Sequence, residues 1–127
     1  MLNSNNTKQQ GNIGLAAAIL YFTKKLYTVS LPLNDSQDYD LIVDINNSLC
    51  RVQVKTTTYK TAYGIYQVSL RSSGGTSGTV YKKVIDTIID YVFILTSDST
   101  MYMIPFIEVN NSSTINLGDK YKKYVVE

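Results

Sequence analysis

The spacing of apolar positions changes period along the chain, and the changes mark out its elements. In "NIGLAAAILYFTKKL" (Asn12 to Leu26), Ile13, Ala16, Ala17, Leu20 and Lys24 fall at helical spacing among strong helix formers, which predicts a long helix over this stretch. Asn12 is the expected cap, with Gly11 letting the chain turn in. The period then shortens to two. "YTVSLPL" predicts a strand ended by Pro32, "NDSQD" a polar loop, and "YDLIVDI" a second strand. Asn46 and Asn47 follow as turn residues before "SLCRVQVKTTT", a hairpin pattern expected to close with a loop of four to five residues. "GIYQVSL" (Gly64 to Leu70) predicts another strand and "RSSGGTSGT" a loop rich in glycine and serine. "YKKVIDTII" (Tyr81 to Ile89) has the length of a short helix, against which its β-branched residues work. "DYVFILT" and "TMYMIPF" predict a strand pair turned at "SDS", and "STINL" a short strand. The order implies an α/β architecture: a mixed sheet with the first, long helix packed on it.

Composition narrows the class. The chain has 127 residues, 44% of them hydrophobic and 17% charged, which suits one globular domain spanning 11–127 after a polar, loosely ordered segment at 1–10. A single cysteine, Cys50, excludes an intramolecular disulfide and fits a reducing, cytoplasmic setting. "MLNSNNTKQQ" is polar and "IGLAAAIL" too short to span a bilayer, so neither a targeting segment nor a membrane is expected. There are no histidines, which removes histidine bases, Ser-His triads and most zinc sites. Any catalysis therefore uses carboxylates, lysine, tyrosine, hydroxyls or a hard metal ion. The net charge of +2 permits a polyanionic partner without requiring one. Its distribution says more: Asp35, Asp38, Asp40 and Asp44 cluster ahead of Arg51, Lys55, Lys60, Arg71, Lys82 and Lys83.

Several motifs carry little weight. "AYGIYQV" holds half of a Gly-Ile-Tyr nuclease signature whose partner tripeptide does not follow, and "SGGTSGT" lacks the lysine of a phosphate-binding loop. Among eleven tyrosines, Tyr91 and Tyr102 fall in strand patterns, while Tyr59, Tyr63 and Tyr81 are candidates for a nucleic-acid surface. "DKYKKY" is basic and aromatic, which a solvated tail explains equally well.

The hairpin carries the chemistry. In "RVQVKTTT", Val52 and Val54 alternate with Arg51, Gln53 and Lys55, as they would on any half-buried strand. Asp40 adds meaning, because a turn near Asn46 and Asn47 sets it roughly across from Gln53 and Lys55. A carboxylate and an amide oxygen are hard ligands suited to Mg2+, and the backbone carbonyl of Val54 is a candidate third oxygen. A lysine beside them would orient or activate water and offset charge in the transition state of phosphodiester hydrolysis.

"DYDLIVDINNSLCRVQVKTT" resembles the catalytic hairpin of the PD-(D/E)xK nuclease superfamily, in the Gln-x-Lys variant found in small group I intron-associated endonucleases. "GNIGLAAAILYFTKKLYTVSLPL" is similar to the family's opening helix and first strand, and "IIDYVFILTSDSTMYMIPF" to its later strand pair, so the resemblance runs from Gly11 to Phe106. It implies a restriction-endonuclease-like mixed sheet flanked by helices. It further implies a divalent-metal-dependent DNA endonuclease, homing-endonuclease-like, using Mg2+ with Mn2+ as a substitute. By matching position, the resemblance implies that Asp40 would be the metal-binding acid, Gln53 the second ligand or its substitute, and Lys55 the catalytic lysine. The family commonly places a glutamate after the second glycine of a Gly-x-x-Gly pattern; here Gly11 and Gly14 are followed by Leu15. Either Gln10 or Asp35 compensates, the metal is held more weakly, or the chain is an inactive DNA-binding descendant. A Holliday-junction-resolvase-like nuclease shares the same chemistry on branched rather than duplex DNA.

Arg51, Lys60, Arg71, Lys82, Lys83, Tyr59 and Tyr63 are the candidate DNA contacts. Because a domain this small presents one site and duplex cleavage cuts two strands, a homodimer or homotetramer is expected. A phage- or intron-encoded origin is compatible with all of this.

Overall fold

The computed structural model describes residue 2 and residues 6–34, 36–70 and 88–127. Asp35, Arg71, Tyr81, Lys82 and Lys83, the loop over 71–79 and most of the helix expected over 81–89 lie outside them.

Helix α1 spans Thr7–Lys24, beginning five residues ahead of the expected start. The Asn6 side chain caps it, accepting from the main-chain N–H of Lys8 at 3.0 Å and Gln9 at 3.4 Å. Thr7–Gln10 are therefore its first turn, and Gly11 and Asn12 lie inside it rather than at its start. The buried face also differs from the expected one. It runs through Gly14, Ala18 and Phe22, whereas Leu20 is exposed. Gly14 selects this face: a methyl group there would overlap Cγ2 of Thr56, so its absence lets the helix axis approach the sheet closely. Close approach at Gly14 and Ala18, with Phe22 anchored on the same face, thus decides which side of this apolar helix meets the sheet.

The main sheet has six strands in the order β1-β2-β3-β5-β6-β8. They are β1 Thr28–Ser30, β2 Leu41–Ile45, β3 Ser48–Thr57, β5 Tyr91–Thr96, β6 Met101–Pro105 and β8 Val125–Val126. Neighbours pair antiparallel except β3 and β5, which run parallel from Val52 opposite Tyr91 to Thr57 opposite Thr96. The continuous apolar run of β5 follows from that central place. Phe93 and Leu95 face the α1 side, while Val92 and Ile94 face the other. β2 and β3 close tightly, with Ile45 opposite Ser48. Asn46 (φ 51°) and Asn47 (φ 70°) form the two-residue turn, in place of the longer loop expected. Asparagine tolerates the left-handed conformation that such turns require, and their twist matches that of the strands.

A second, two-stranded sheet joins β4 (Gln67–Ser69) to β7 (Thr114–Asn116). Val68 and Ile115 turn inward from it and share a core with Val92, Ile94, Ile104 and Val109. The main sheet is thus covered by α1 on one face and partly by this small sheet on the other. The C-terminal "DKYKKY" is folded rather than a solvated tail. It forms a 3-10 helix, Asp119–Tyr124, with Tyr121 buried, and leads into β8. Among the described residues no helix is long and apolar enough to cross a membrane.

Candidate active site

Strand alternation divides β3 between the two cores. Val52 and Val54 pack towards α1, which leaves Arg51, Gln53 and Lys55 on the opposite face. The β2–β3 pairing begins with Leu41 opposite Val52, and Asp40 immediately precedes it. Two hydrogen bonds fasten Asp40 to β3. The Asp40 N–H donates to the Val52 carbonyl at 2.9 Å, and the Val54 N–H donates to Asp40 Oδ2 at 2.7 Å. The carboxylate is therefore held by backbone at the point where Gln53 and Lys55 emerge.

Gln53 is 5% exposed, an unusual position for an amide on a strand face. Its Nε2 donates to the Asp38 carbonyl at 3.1 Å, but its Oε1 is buried with no hydrogen-bond partner. A buried carbonyl oxygen left unpaired costs about 1–3 kcal/mol, which gives the orphan a reason to seek a ligand. Among the described residues no three His, Cys, Asp or Glu side chains converge on one point. A cation here would thus rely on the Asp40 carboxylate, Gln53 Oε1 and main-chain oxygen. This sparse, hard oxygen set suits an ion that keeps much of its own water.

The electrostatics couple Asp40 and Lys55. Desolvation raises the Asp40 pKa above the ordinary 3.8, opposed by the Val54 N–H and by the charge of Lys55. Desolvation also lowers the Lys55 pKa below 10.5, opposed by Asp40 and then Asp38. Both shifts come first from burial, which disfavours the charged forms, and perturbed neighbouring groups of this kind cluster at functional sites. Asp38, which sequence reasoning treats as a loop charge, contributes twice: its carbonyl orients Gln53 and its carboxylate supports the lysine cation. Its only sequence signal is its place two residues before Asp40.

Asp90 is structural, as its place at the head of β5 suggests. Its Oδ2 accepts from the Arg51 N–H at 2.7 Å, and its N–H donates to the Arg51 carbonyl at 2.9 Å, pinning β3 beside β5. The Arg51 guanidinium sits over the Tyr39 ring at 5.6 Å. Lys60 lies over Tyr66 at 4.8 Å, while Tyr59 and Tyr63 are exposed, the latter at 91%. Gln10 faces a cleft of ≈ 350 Å³ with Thr56, Thr58, Tyr59 and Gln67, beyond Lys55 along β3. Leu15 packs against the apolar core on the α1 side.

A helix-backed mixed sheet with an acid, an amide and a lysine on one hairpin defines the nuclease fold that the resemblance implied. The match to the PD-(D/E)XK endonuclease family model over residues 5–123 shows that the chain belongs to this family. The structure is similar to that of the bacterial homing endonuclease I-Ssp6803I, with a TM-score of 0.70 and 26% identity over 94% of this chain and 87% of the other. No curated protein matches the chain in sequence.

Proposed function

We propose that the protein is a divalent-metal-dependent DNA endonuclease that hydrolyses phosphodiester bonds, homing-endonuclease-like in its target. The observation that carries this reading is the buried, unpartnered Oε1 of Gln53 beside a backbone-held Asp40 and a desolvated Lys55. Asp40 and Gln53, with the Val54 carbonyl, would hold Mg2+ or Mn2+. A bound cation supplies Lewis-acid chemistry at the scissile phosphate. Lys55 orients the attacking water and offsets the negative charge that builds on the phosphoryl oxygens in the transition state. Arg51 and Lys60, on or near the same face, grip flanking phosphates, and exposed Tyr59 and Tyr63 offer stacking or backbone contacts. A homodimer or homotetramer would present two such sites to the two strands of a duplex. The similarity to a homing endonuclease supports duplex DNA over a junction.

Supercoiled plasmid incubated with the protein tests this reading. Nicking is expected with Mg2+ or Mn2+, with none in excess chelator and recovery on adding the ion back. Cleavage that persists undiminished in chelator would remove the metal from the account. Salt-sensitive binding without nicking under any ion would make the chain a DNA-binding descendant.

A further inference from the structure

The β4–β7 ribbon carries a polar face that the cleavage chemistry does not use. Its register sets Gln67 opposite Asn116 and Ser69 opposite Thr114, and all four turn away from the core occupied by Val68 and Ile115. Solvated ribbons, with two edges to protect, commonly carry lysine or other charges there. This face has none. Instead Gln67 Nε2 donates to Asn116 Oδ1 at 3.0 Å, so each amide orients the other. The pair leaves the side-chain Oε1 of Gln67 and the Nδ2 amino group of Asn116, an acceptor and a donor, for an outside partner.

The ribbon is also fastened to the strand bearing Lys55. The Thr57 hydroxyl, two residues beyond Lys55 on the same face of β3, donates to the main-chain carbonyl of Gln67 at 2.6 Å. The Gln67 N–H donates to the Tyr59 carbonyl at 3.0 Å. Two residues of strand span about 7 Å, on the order of two base-pair steps. Phosphate gripping calls for cations, whereas base edges present paired donors and acceptors that uncharged amides match. A two-stranded ribbon is also of a size that the major groove admits.

We propose that Gln67 and Asn116 are specificity-determining residues that together read a base edge, with adenine the best match, in the major groove a few base pairs from the scissile phosphate. This rests on the proposed action on duplex DNA but not on catalysis.

The test uses a pool of randomised duplexes, selected by binding to the full chain in chelator and, separately, by cleavage in Mg2+. Gln67→Ala, Asn116→Ala and wild type are compared, with thermal midpoints taken for each. Wild type is expected to enrich particular bases, and either variant to lose preference at the same one or two positions by roughly ten-fold or more, near the cut in the cleavage arm. Binding to unenriched sequences is expected to stay within about three-fold, by analogy with loss of a base contact alone. Three outcomes overturn the proposal: a wild-type pool without enriched bases, preferences unchanged in both variants, or a uniform loss across all sequences. Failure of the nuclease reading shows only in the cleavage arm and leaves the binding arm to decide this one.

Discussion

The main-chain N–H of Val54 donates to Oδ2 of Asp40 at 2.7 Å, tying the carboxylate to the strand that presents Gln53 and Lys55 on either side of that residue. A side-chain partner could be lost by mutation; a backbone one cannot. Asp40→Asn keeps an oxygen to accept this bond and removes only the charge. It is expected to lower the nicking rate roughly 10²- to 10³-fold, the range seen when one charge-stabilising group is lost, without lowering the thermal midpoint at neutral pH. Asp40→Ala should lose both activity and part of the hairpin's stability, a contrast that calorimetry beside nicking assays measures.

The opposed pKa shifts predict how the metal-free site titrates. Without a cation the Asp40 carboxyl should titrate above 3.8, because burial raises it, and the Lys55 ammonium below 10.5, because burial lowers it. In Lys55→Met the supporting cation is gone, so the Asp40 carboxyl should titrate higher still in carbon-detected NMR. The stability consequence has a definite sign. A raised carboxyl pKa contributes stability that is fully present below 3.8 and is lost as pH rises through the folded-state value. Wild type should therefore lose stability relative to Asp40→Asn across that window in urea melts, and a constant difference would contradict the assignment.

Gly14 and Gly11 should respond oppositely to alanine. Nothing lies within 4 Å of a methyl group on Gly11, so Gly11→Ala should stabilise by about 0.5–1 kcal/mol through helix propensity. Gly14→Ala gains the same propensity but drives into Thr56 Cγ2, with Val54 Cγ1 at 3.5 Å behind it. Overpacking of this kind costs about 1–3 kcal/mol, a net loss. Thr56→Ser removes the opposing methyl group and should relieve most of the penalty in a double-mutant cycle of denaturant midpoints.

Leu15 stands where the family often has glutamate, and the structure packs it against the core on the α1 side. Leu15→Glu should destabilise by about 1–3 kcal/mol, the cost of placing a polar group in apolar surroundings, without raising the nicking rate. A marked gain of activity would mean that an acid from α1 is missing from the site.

The hairpin was legible because period-two alternation is a local property, although its turn has two residues rather than the four to five expected. Gln53 and Lys55 share a face whatever the rest of the chain does, while the place of Asp40 beside them depends on the turn. The start of α1 was not legible, since Asn6 and Asn12 are the same residue type and Gly11 resembles a boundary. Only tertiary contact with Thr56 shows why the helix lies on Gly14, Ala18 and Phe22. The pairing of β4 with β7 joins residues 45 or more apart, beyond any local signal. Asp38 was hidden for a similar reason: it acts on Gln53 through a main-chain carbonyl, which no side-chain pattern records.

Single-turnover cleavage of a labelled duplex in Mg2+, with wild type and Lys55→Ala each at concentrations that saturate binding, tests the central claim most directly. The account predicts that the variant binds DNA within about three-fold of wild type and cleaves it roughly 10³-fold more slowly, as expected for loss of a group acting in the transition state. Equal cleavage rates for the two proteins would contradict it.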